Sequence, residues 1–306
     1  MIPIADIYEA RKRISRVAKL TPVLTSNSIN LELGRKLFFK SEHLQTTGSF
    51  KIRGALNAVL QAPENAPGII GFSSGNHAQG LAYAASISSR PAIVIMPSDS
   101  SKLKVEATKR YGAKVVTEGV TVENRYEILS KMIVETGYHP IPPFDDYRVM
   151  AGQGTIMLEL LEQVSDLDAV LVPVGGGGLI SGIASVVKQL KPSIEVIGVE
   201  PVGGDDTYQS LQKGERVQLD KPPTTICDGI RTIIPGEKTF PIIQETVDRI
   251  IVVPDEATIR AQALIMQRMK QIVEPTAAIT LGAVLVDKDL PSNVGLILTG
   301  GNWMPQ

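Results

Sequence analysis

The sequence has few cysteines and histidines, with one cysteine, Cys227, and three histidines among 306 residues. A single cysteine excludes an intrachain disulfide, and so few cysteines and histidines argue against a zinc site. The net charge is −1 and there is no basic run, which argues against nucleic acid or an anionic membrane as a partner. No apolar run reaches membrane-spanning length, and the first residues do not form a signal peptide. We therefore expect a cytoplasmic globular protein.

Short apolar runs alternate along the chain with segments of helical periodicity. The runs typical of buried strands are residues 68–72, 92–96, 114–116, 169–174, 196–199 and 294–298. Apolar residues at helical spacing occupy residues 6–18, 80–88, 102–111, 122–136 and 179–190. Continuous apolar strands that alternate with helices predict an α/β fold whose parallel sheets are covered on both faces.

The segment from residue 68 to 147 contains a compact βαβαβα set of its own. We interpret it as a small domain, 68–147, inserted into a larger domain formed by residues 1–67 and 148–306. The proline-rich stretch His139–Pro143 predicts a hinge between them. Ligands of such folds bind at the carboxyl ends of the strands, so functional motifs are expected there.

The sharpest motif is Thr47–Ala55, which reads TGSFKIRGA. A lysine ε-amine forms Schiff bases once it is desolvated or near another cation, and Lys51 stands between a Gly-Ser turn and an apolar helix start. Phe50 beside it offers a flat apolar face to an aromatic ring. The alternative is that Lys51 is a surface residue with its ammonium group in solvent.

Four glycines, Gly175, Gly176, Gly177 and Gly178, directly follow one strand and open a helix. Their backbone N–H groups can converge on an anion, for which a phosphate is the natural occupant. One alternative is a flexible turn. Another is a dinucleotide-binding turn with Glu200 on the ribose hydroxyls, but Ser181 stands where G-x-G-x-x-G requires its last glycine.

Two further motifs follow strands. Ser73–His77, with sequence SSGNH, combines hydroxyls and free N–H groups that suit a carboxylate. An ordinary helix N-cap explains one serine there but leaves Asn76 and His77 unexplained. After the last strand, Thr299 offers a hydroxyl to a ring nitrogen, although that segment alone is a weak signal and is more often a plain turn.

Taken together, these segments closely resemble the fold-type II pyridoxal-phosphate (PLP) enzymes, specifically the serine racemase and serine/threonine dehydratase family. The resemblance covers nearly the whole chain and includes Thr21–Leu24, Ala151–Thr155 and Glu274–Thr276. It implies a fold like that of the tryptophan synthase β subunit, with two parallel-sheet α/β domains and the cofactor between them.

The resemblance also implies roles for individual residues. Lys51 would carry the cofactor as a Schiff base, Phe50 would lie by its ring, Gly229 would pass close to the cofactor, and Gly175 to Gly178 would hold its phosphate. Asn76 would contact the phenolic oxygen, and Thr299 the pyridine nitrogen. A neutral hydroxyl does not hold the pyridine protonated, so prompt loss of a β-leaving group suits the site better than a long-lived carbanion. The substrate carboxylate would be oriented by Ser73, Ser74, Asn76 and His77.

The implied activity is that of a dehydratase, a carbon–nitrogen lyase. It would convert serine, threonine, 3-hydroxyaspartate or an aryl-serine to a 2-keto acid and ammonia by α,β-elimination, with Lys51 as general base. The alternative is a serine or aspartate racemase, in which Lys51 and Ser74 act on opposite faces of the substrate. A nucleotide-dependent oxidoreductase and an inactive binding protein are two further hypotheses, and both leave Lys51 without a role.

Three expectations concern the periphery of this site. Arg125 would bind a second substrate carboxylate, as in 3-hydroxyaspartate, unless it is simply an exposed arginine. Glu200, Asp206 and the carbonyl of Gly204 resemble a site for Mg²⁺, or for Ca²⁺ or Mn²⁺, although paired acids on a loop are usually solvated. A homodimer is expected, and a C-terminal regulatory domain is not.

Overall fold

Two separate β-sheets, each flanked by helices, make up the computed structural model, which describes residues 1–121 and 123–304. Val122, the first residue of the predicted helix 122–136, lies outside the described residues. Within the described part of the chain, no helix is both long and apolar enough to cross a membrane. The α/β class expected from the sequence is confirmed.

The bounds of the regular elements are as follows. The strands are β1 Val23–Leu24, β2 Lys36–Lys40, β3 Ile69–Phe72, β4 Ala92–Ile95, β5 Lys114–Val116, β6 His139–Pro140, β7 Ala169–Pro173, β8 Glu195–Pro201, β9 Arg249–Val253 and β10 Asn293–Ile297. The α-helices are α1 Ile4–Ile14, α2 Asn27–Leu33, α3 Lys51–Val59, α4 Asn76–Ile87, α5 Lys102–Arg110, α6 Arg125–Thr136, α7 Tyr147–Gln163, α8 Gly178–Leu190, α9 Asp206–Lys213, α10 Thr239–Thr246, α11 Asp255–Leu264 and α12 Pro275–Val286. Short 3₁₀ turns occupy Glu42–Leu44 and Asp228–Ile230, and a π-helical turn occupies Ile265–Met269.

The larger sheet has the strand order β1-β2-β10-β7-β8-β9. All neighbouring pairs of this sheet are parallel except β1 and β2, which pair antiparallel at one edge. Alternate side chains of β7 enter two different cores: Val170 and Val172 face one, Ala169 and Leu171 the other. Burial on both faces explains why this strand appears in the sequence as a continuous apolar run.

The smaller sheet has the order β5-β4-β3-β6, and all of its pairs are parallel. Helix α4 packs on one face and α6 on the other, and Ile52 and Leu56 of α3 join the core beneath α4. The proline-rich stretch, expected to be a hinge, also contributes edge strand β6. Pro140 lacks an N–H donor, so an edge is where a sheet tolerates it.

Some predicted boundaries were wrong. Helix α1 ends at Ile14, and the chain then turns, yet Val17 and Ala18 still pack on the core beneath the smaller sheet. Because these two residues are apolar and keep the helical spacing, the sequence predicted a longer helix than the structure has. Helix α4 begins at Asn76, earlier than the predicted residue 80.

A buried ion network ties α3 to the larger sheet. The guanidinium of Arg53 donates hydrogen bonds to Glu42 (2.8 Å) and Glu159 (2.7 Å). Glu159 also accepts from Lys40 of β2 at 2.6 Å. Burial opposes the charge of Arg53, but the two carboxylates raise the pKa of its guanidinium above the usual value. Because α3 begins at Lys51, this network fixes the position of that lysine.

Candidate active site

Lys51 is the first residue of α3 and is half-buried. Its Nζ donates a hydrogen bond to the carbonyl of Pro143 at 2.9 Å and lies 5.1 Å from the centre of the Phe50 ring. Burial lowers the pKa of Lys51 to about 8. An amine with this pKa is partly neutral near pH 7, which is the form that acts as a nucleophile or a base.

The turn after β10 lies alongside the segment that leads to Lys51. The N–H of Phe50 donates to the carbonyl of Thr299 at 3.0 Å, and the N–H of Gly301 donates to the carbonyl of Gly48 at 2.9 Å. The two motifs are far apart in the sequence, and the structure brings them into contact. The Thr299 hydroxyl is buried and has no hydrogen-bond partner among the described residues.

The glycine run forms the turn between β7 and α8, as the sequence predicts. A side chain at Gly176 would collide with the ring of Phe144, and a Cβ at Gly175 would approach the Cα of Ile230 to 3.1 Å. Gly177 has φ +90°, which disfavours any L side chain. Phe144 follows Pro143, the acceptor of the Lys51 hydrogen bond, so this segment brings the glycine turn next to Lys51.

The Ser73–His77 motif joins β3 to α4. The Ser73 hydroxyl accepts from the N–H of Gly75 at 3.1 Å, whereas Ser74 is exposed. His77 is buried and its Nε2 lies 3.2 Å from the carbonyl of Ile141, so Nε2 carries the proton. Burial, and after it the charge of Lys51, lowers the pKa of His77 to about 3. The ring is therefore neutral and hydrogen-bonded to the backbone next to β6, behind the loop of residues 73–75, which we call the serine loop.

Asn76 connects this motif to two other parts of the chain. Its Nδ2 donates to the Glu274 carboxylate, 2.8 Å from Oε2, and its Oδ1 accepts from Nδ2 of Asn302 at 2.8 Å. In the sequence, Glu274 is part of a motif but carries no predicted role. An acid before a proline is an ordinary helix start, and nothing local indicates that it is buried against Asn76.

The 3₁₀ turn at Asp228–Ile230 closes another side of the site. The N–H of Gly229 donates to Oγ1 of Thr276 at 3.1 Å, and Ile230 contacts the glycine turn. Asp228 forms an ion pair of 2.6 Å with Lys104 of α5. The ion pair spans from the larger-sheet side to the smaller-sheet side of the site. Neither charged residue was predicted from the sequence to belong to the site.

Arg125 begins α6 and lies near the same edge of the smaller sheet as the serine loop. Its guanidinium carbon is 4.9 Å from the centre of the Phe72 ring and 5.5 Å from that of Tyr126. Phe72 directly precedes Ser73. The Nε of Arg125 is buried and has no hydrogen-bond partner among the described residues.

Glu200 and Asp206 form a buried acidic pair at the end of β8 and the start of α9. Glu200 accepts hydrogen bonds from the N–H groups of Thr207 (3.1 Å) and Tyr208 (2.8 Å). Burial raises the pKa of Asp206 to about 7, and burial together with Asp206 raises the pKa of Glu200 well above its usual range. In the described ranges, no three His, Cys, Asp or Glu residues cluster as metal ligands. A cation here would need backbone or water oxygens besides the two carboxylates.

Comparison with known proteins identifies the class. Residues 14–300 match the family model described as pyridoxal-phosphate dependent enzyme, and the chain belongs to this family. It is 45% identical to the serine racemase of Dictyostelium discoideum, over 98% of this chain and 95% of that protein. It is 44% identical to the L-threo-3-hydroxyaspartate ammonia-lyase of Saccharomyces cerevisiae, over 97% and 92%. A crystal structure of a threonine deaminase has a TM-score of 0.96 and 48% identity, and the match covers 99% of both chains. The predicted fold-type II family is confirmed.

The residues present fit the cofactor of this family. Among the described residues, none accepts a hydrogen bond from the N–H of Gly175, Gly176 or Gly177, which leaves three donors for a phosphate. The buried hydroxyl of Thr299 likewise has no partner in the described part of the chain. A buried, unpaired polar atom costs free energy, so these groups are best explained by a polar ligand. The protein is a PLP-dependent enzyme.

Proposed function

We propose that this enzyme is an ammonia-lyase that acts on a β-hydroxy amino acid. The observation that carries the proposal is Lys51, a half-buried amine with a pKa of about 8 at the meeting point of the glycine turn, the serine loop and the turn after β10. PLP, when bound, would supply an electron-accepting ring that stabilises negative charge at the Cα of the substrate. Loss of the β-hydroxyl as water leaves an enamine, which tautomerises and takes up water to give a 2-keto acid and ammonia.

The cofactor-binding roles follow from the groups that each residue presents. The N–H groups of Gly175 to Gly178 would hold the phosphate at the start of α8. The Thr299 hydroxyl would hydrogen-bond to the pyridine nitrogen, and Asn76 to the phenolic oxygen. Phe50 and Gly229 would line the ring. The contacts of Lys51 with Phe50 and of Gly229 with Thr276 support this arrangement.

In the proposed reaction, Lys51 is the general base. The Nζ atom, in its neutral form, takes the Cα proton of the substrate, and the lowered pKa increases the fraction of Lys51 in that form at neutral pH. The substrate carboxylate would lie at the start of α4, where the N–H groups beside Ser73 and Ser74 favour an anion. His77, neutral and bonded to Ile141, would support the loop from behind.

For the substrate, Arg125 favours an amino acid with a second carboxylate. Its guanidinium stacks on Phe72 next to the serine loop, and its buried Nε has no partner among the described residues. A guanidinium binds carboxylates with two parallel hydrogen bonds. We therefore propose 3-hydroxyaspartate as a substrate, in line with the activity named for the yeast relative.

Racemisation is the second candidate, and the observation that favours it is Ser74. Its side chain is exposed in the loop between β3 and α4, so its hydroxyl is free to return a proton to a bound substrate. With Lys51 on one face and Ser74 on the other, serine or aspartate would be inverted. The name of the Dictyostelium relative supports this alternative.

A paired assay separates the two activities. The purified protein with PLP and Mg²⁺ is given L-serine, L-threonine, L-threo-3-hydroxyaspartate, phenylserine and L-aspartate, and both keto acid and inverted amino acid are measured. Keto acid with little inversion supports the ammonia-lyase, and fast inversion with little keto acid refutes it in favour of the racemase. The variant Ser74→Ala should lose inversion and keep elimination.

We also propose that Glu200, Asp206 and the carbonyl of Gly204 hold a divalent cation, most suitably Mg²⁺. Burial raises the pKa of both carboxylates, and Asp206 raises that of Glu200 further, so a positive charge between them would stabilise their ionised forms, which supports the proposal. The division into a domain of residues 1–67 and 148–306 and one of 68–147, the homodimer and the cytoplasmic location stay predictions.

A further inference from the structure

Three side chains from distant parts of the chain form a directional hydrogen-bond relay at the site. Asn302 donates through Nδ2 to the carbonyl of Thr47 (2.9 Å) and to Oδ1 of Asn76 (2.8 Å). Asn76 in turn donates through Nδ2 to the carboxylate of Glu274, at 2.8 Å and 3.1 Å. The relay therefore starts at Asn302, which donates both to a backbone carbonyl and to Asn76, and it ends at the buried acid Glu274.

The polarity of every link in this relay is determined by chemistry. A backbone carbonyl only accepts, so the group of Asn302 that meets Thr47 must be its NH₂. The same NH₂ meets Asn76, which must present its oxygen there. The NH₂ of Asn76 then faces Glu274. Turning the Asn76 amide over would set two NH₂ groups against each other and an amide oxygen against a carboxylate, so the observed orientation is strongly preferred.

The side chain of Glu274 is not used by its own helix, although its backbone carbonyl accepts from the N–H groups of Ala277 (2.9 Å) and Ala278 (3.1 Å). It stands immediately before α12, where an acidic side chain commonly caps the helix, yet its carboxylate makes no capping hydrogen bond. Its side chain is buried and turned towards Asn76 and Gly300 instead. A Cβ on Gly300 would approach Nδ2 of Asn76 to 3.0 Å, so this NH₂ lies against the turn that also carries Thr299.

We propose that Glu274 is a positioning residue that holds the amide of Asn76 so that it presents an N–H donor, and not its oxygen, to the phenolic oxygen of the cofactor. This inference rests on the proposed contact between Asn76 and that oxygen. A fixed donor stabilises the deprotonated, negatively charged form of a phenol. Glu274 thereby sets the ionisation of the bound cofactor without touching it.

Because Glu274 is buried, its carboxyl group can change protonation state near neutral pH. Burial raises the pKa of Glu274 to about 7; Lys104 opposes this shift and Asp228 adds to it. One oxygen of a protonated carboxyl still accepts from Asn76, so the relay keeps its direction in either state. The donor on Asn76 is thus retained across the neutral pH range.

The test compares Glu274→Leu with Glu274→Gln and with the control Glu256→Leu, which replaces an exposed glutamate in the first turn of α11. Each holoenzyme is titrated with pH without substrate, and the absorbance of the bound cofactor and its dissociation constant are measured. For Glu274→Leu we expect the pH midpoint to rise by about one unit and the dissociation constant of PLP to rise about tenfold or more. In Glu274→Gln the amide oxygen still accepts from Asn76, so the pH midpoint and the dissociation constant of PLP should both stay close to the wild-type values.

A merely structural role would lower the melting temperature of Glu274→Leu and leave the spectral midpoint unchanged, and that result overturns the inference. So does a midpoint in Glu274→Leu equal to that of Glu256→Leu. If Glu274→Leu does not fold, Glu274→Ala, which leaves room for water, is read by the same criteria. Wild-type protein that binds no PLP at Lys51 would refute the proposed function itself; normal binding with an unshifted variant refutes only the role of Glu274.

Discussion

Replacing Arg53 by methionine should destabilise the protein far more than replacing a surface arginine. Arg53 is fully buried and donates hydrogen bonds to the carboxylates of Glu42 and Glu159. Without it, Lys40, which is paired with Glu159, is left to balance the charge of both carboxylates. Removing one partner of a buried ion pair costs about 3–5 kcal/mol, because the remaining charge is left uncompensated.

The matched control is Arg260→Met. The side chain of Arg260 is 66% exposed, and its ion pair with Glu32 is 3.6 Å long, so its loss should cost less than about 1 kcal/mol. Both free energies of unfolding are measured by urea denaturation at pH 7 with saturating PLP. Adding Glu42→Gln to Arg53→Met should recover part of the loss, because it removes one uncompensated charge.

The pH dependence gives a second check on the same variant. Burial opposes ionisation of Glu42, but the charge of Arg53 holds the pKa of Glu42 below its usual value. The ion pair therefore stabilises the wild type fully above the pKa that Glu has in the unfolded chain. This contribution is lost as the pH falls through the lowered pKa of Glu42 in the folded protein. The deficit of Arg53→Met should therefore be full at pH 7 and shrink below about pH 5. A deficit equal to that of Arg260→Met at pH 7 would refute the account of the network.

Three further outcomes are expected. Arg125→Met should lower kcat/KM for L-threo-3-hydroxyaspartate about tenfold or more and leave kcat/KM for L-serine within about threefold. The reason is that only the first substrate has a second carboxylate for Arg125 to bind. Equal losses for the two substrates would contradict the assignment. Mg²⁺ should raise the melting temperature of the wild type but not that of Asp206→Asn. An equal rise in both proteins would refute the assignment of the cation to this site. In the cofactor-free protein, acylation of Lys51 should titrate with a midpoint near pH 8, because burial lowers its pKa to about 8, and a midpoint above about pH 10 would contradict that environment.

The sequence alone was sufficient where the information is local. The strands buried on both faces, such as Ala169–Pro173, appear as apolar runs, and the glycine turn stands directly between such a strand and a helix. Strand β2 was missed because it begins and ends with lysines. Lys40 is buried there with Glu159, far along the chain, as its counter-ion. No local pattern contains that information.

The same limit applies to the site. Lys51 is conspicuous in the sequence because it stands between a Gly-Ser turn and an apolar helix start. Glu274 is not conspicuous, because its importance depends on Asn76, which is 198 residues away. His77 was expected to orient the substrate, and its bond to Ile141 gives it a partner within the fold that the sequence does not indicate. Its contact with substrate stays a prediction.

The most direct test of the account is the identity of the lysine that carries the cofactor. The wild type is incubated with PLP, reduced with borohydride, digested and analysed by mass spectrometry, with Lys51→Ala treated in parallel. The account predicts the pyridoxyl modification on the peptide that contains Lys51, with neither the modification nor the visible cofactor absorbance in the variant. Modification of another lysine such as Lys104, or an unchanged absorbance in Lys51→Ala, would contradict it.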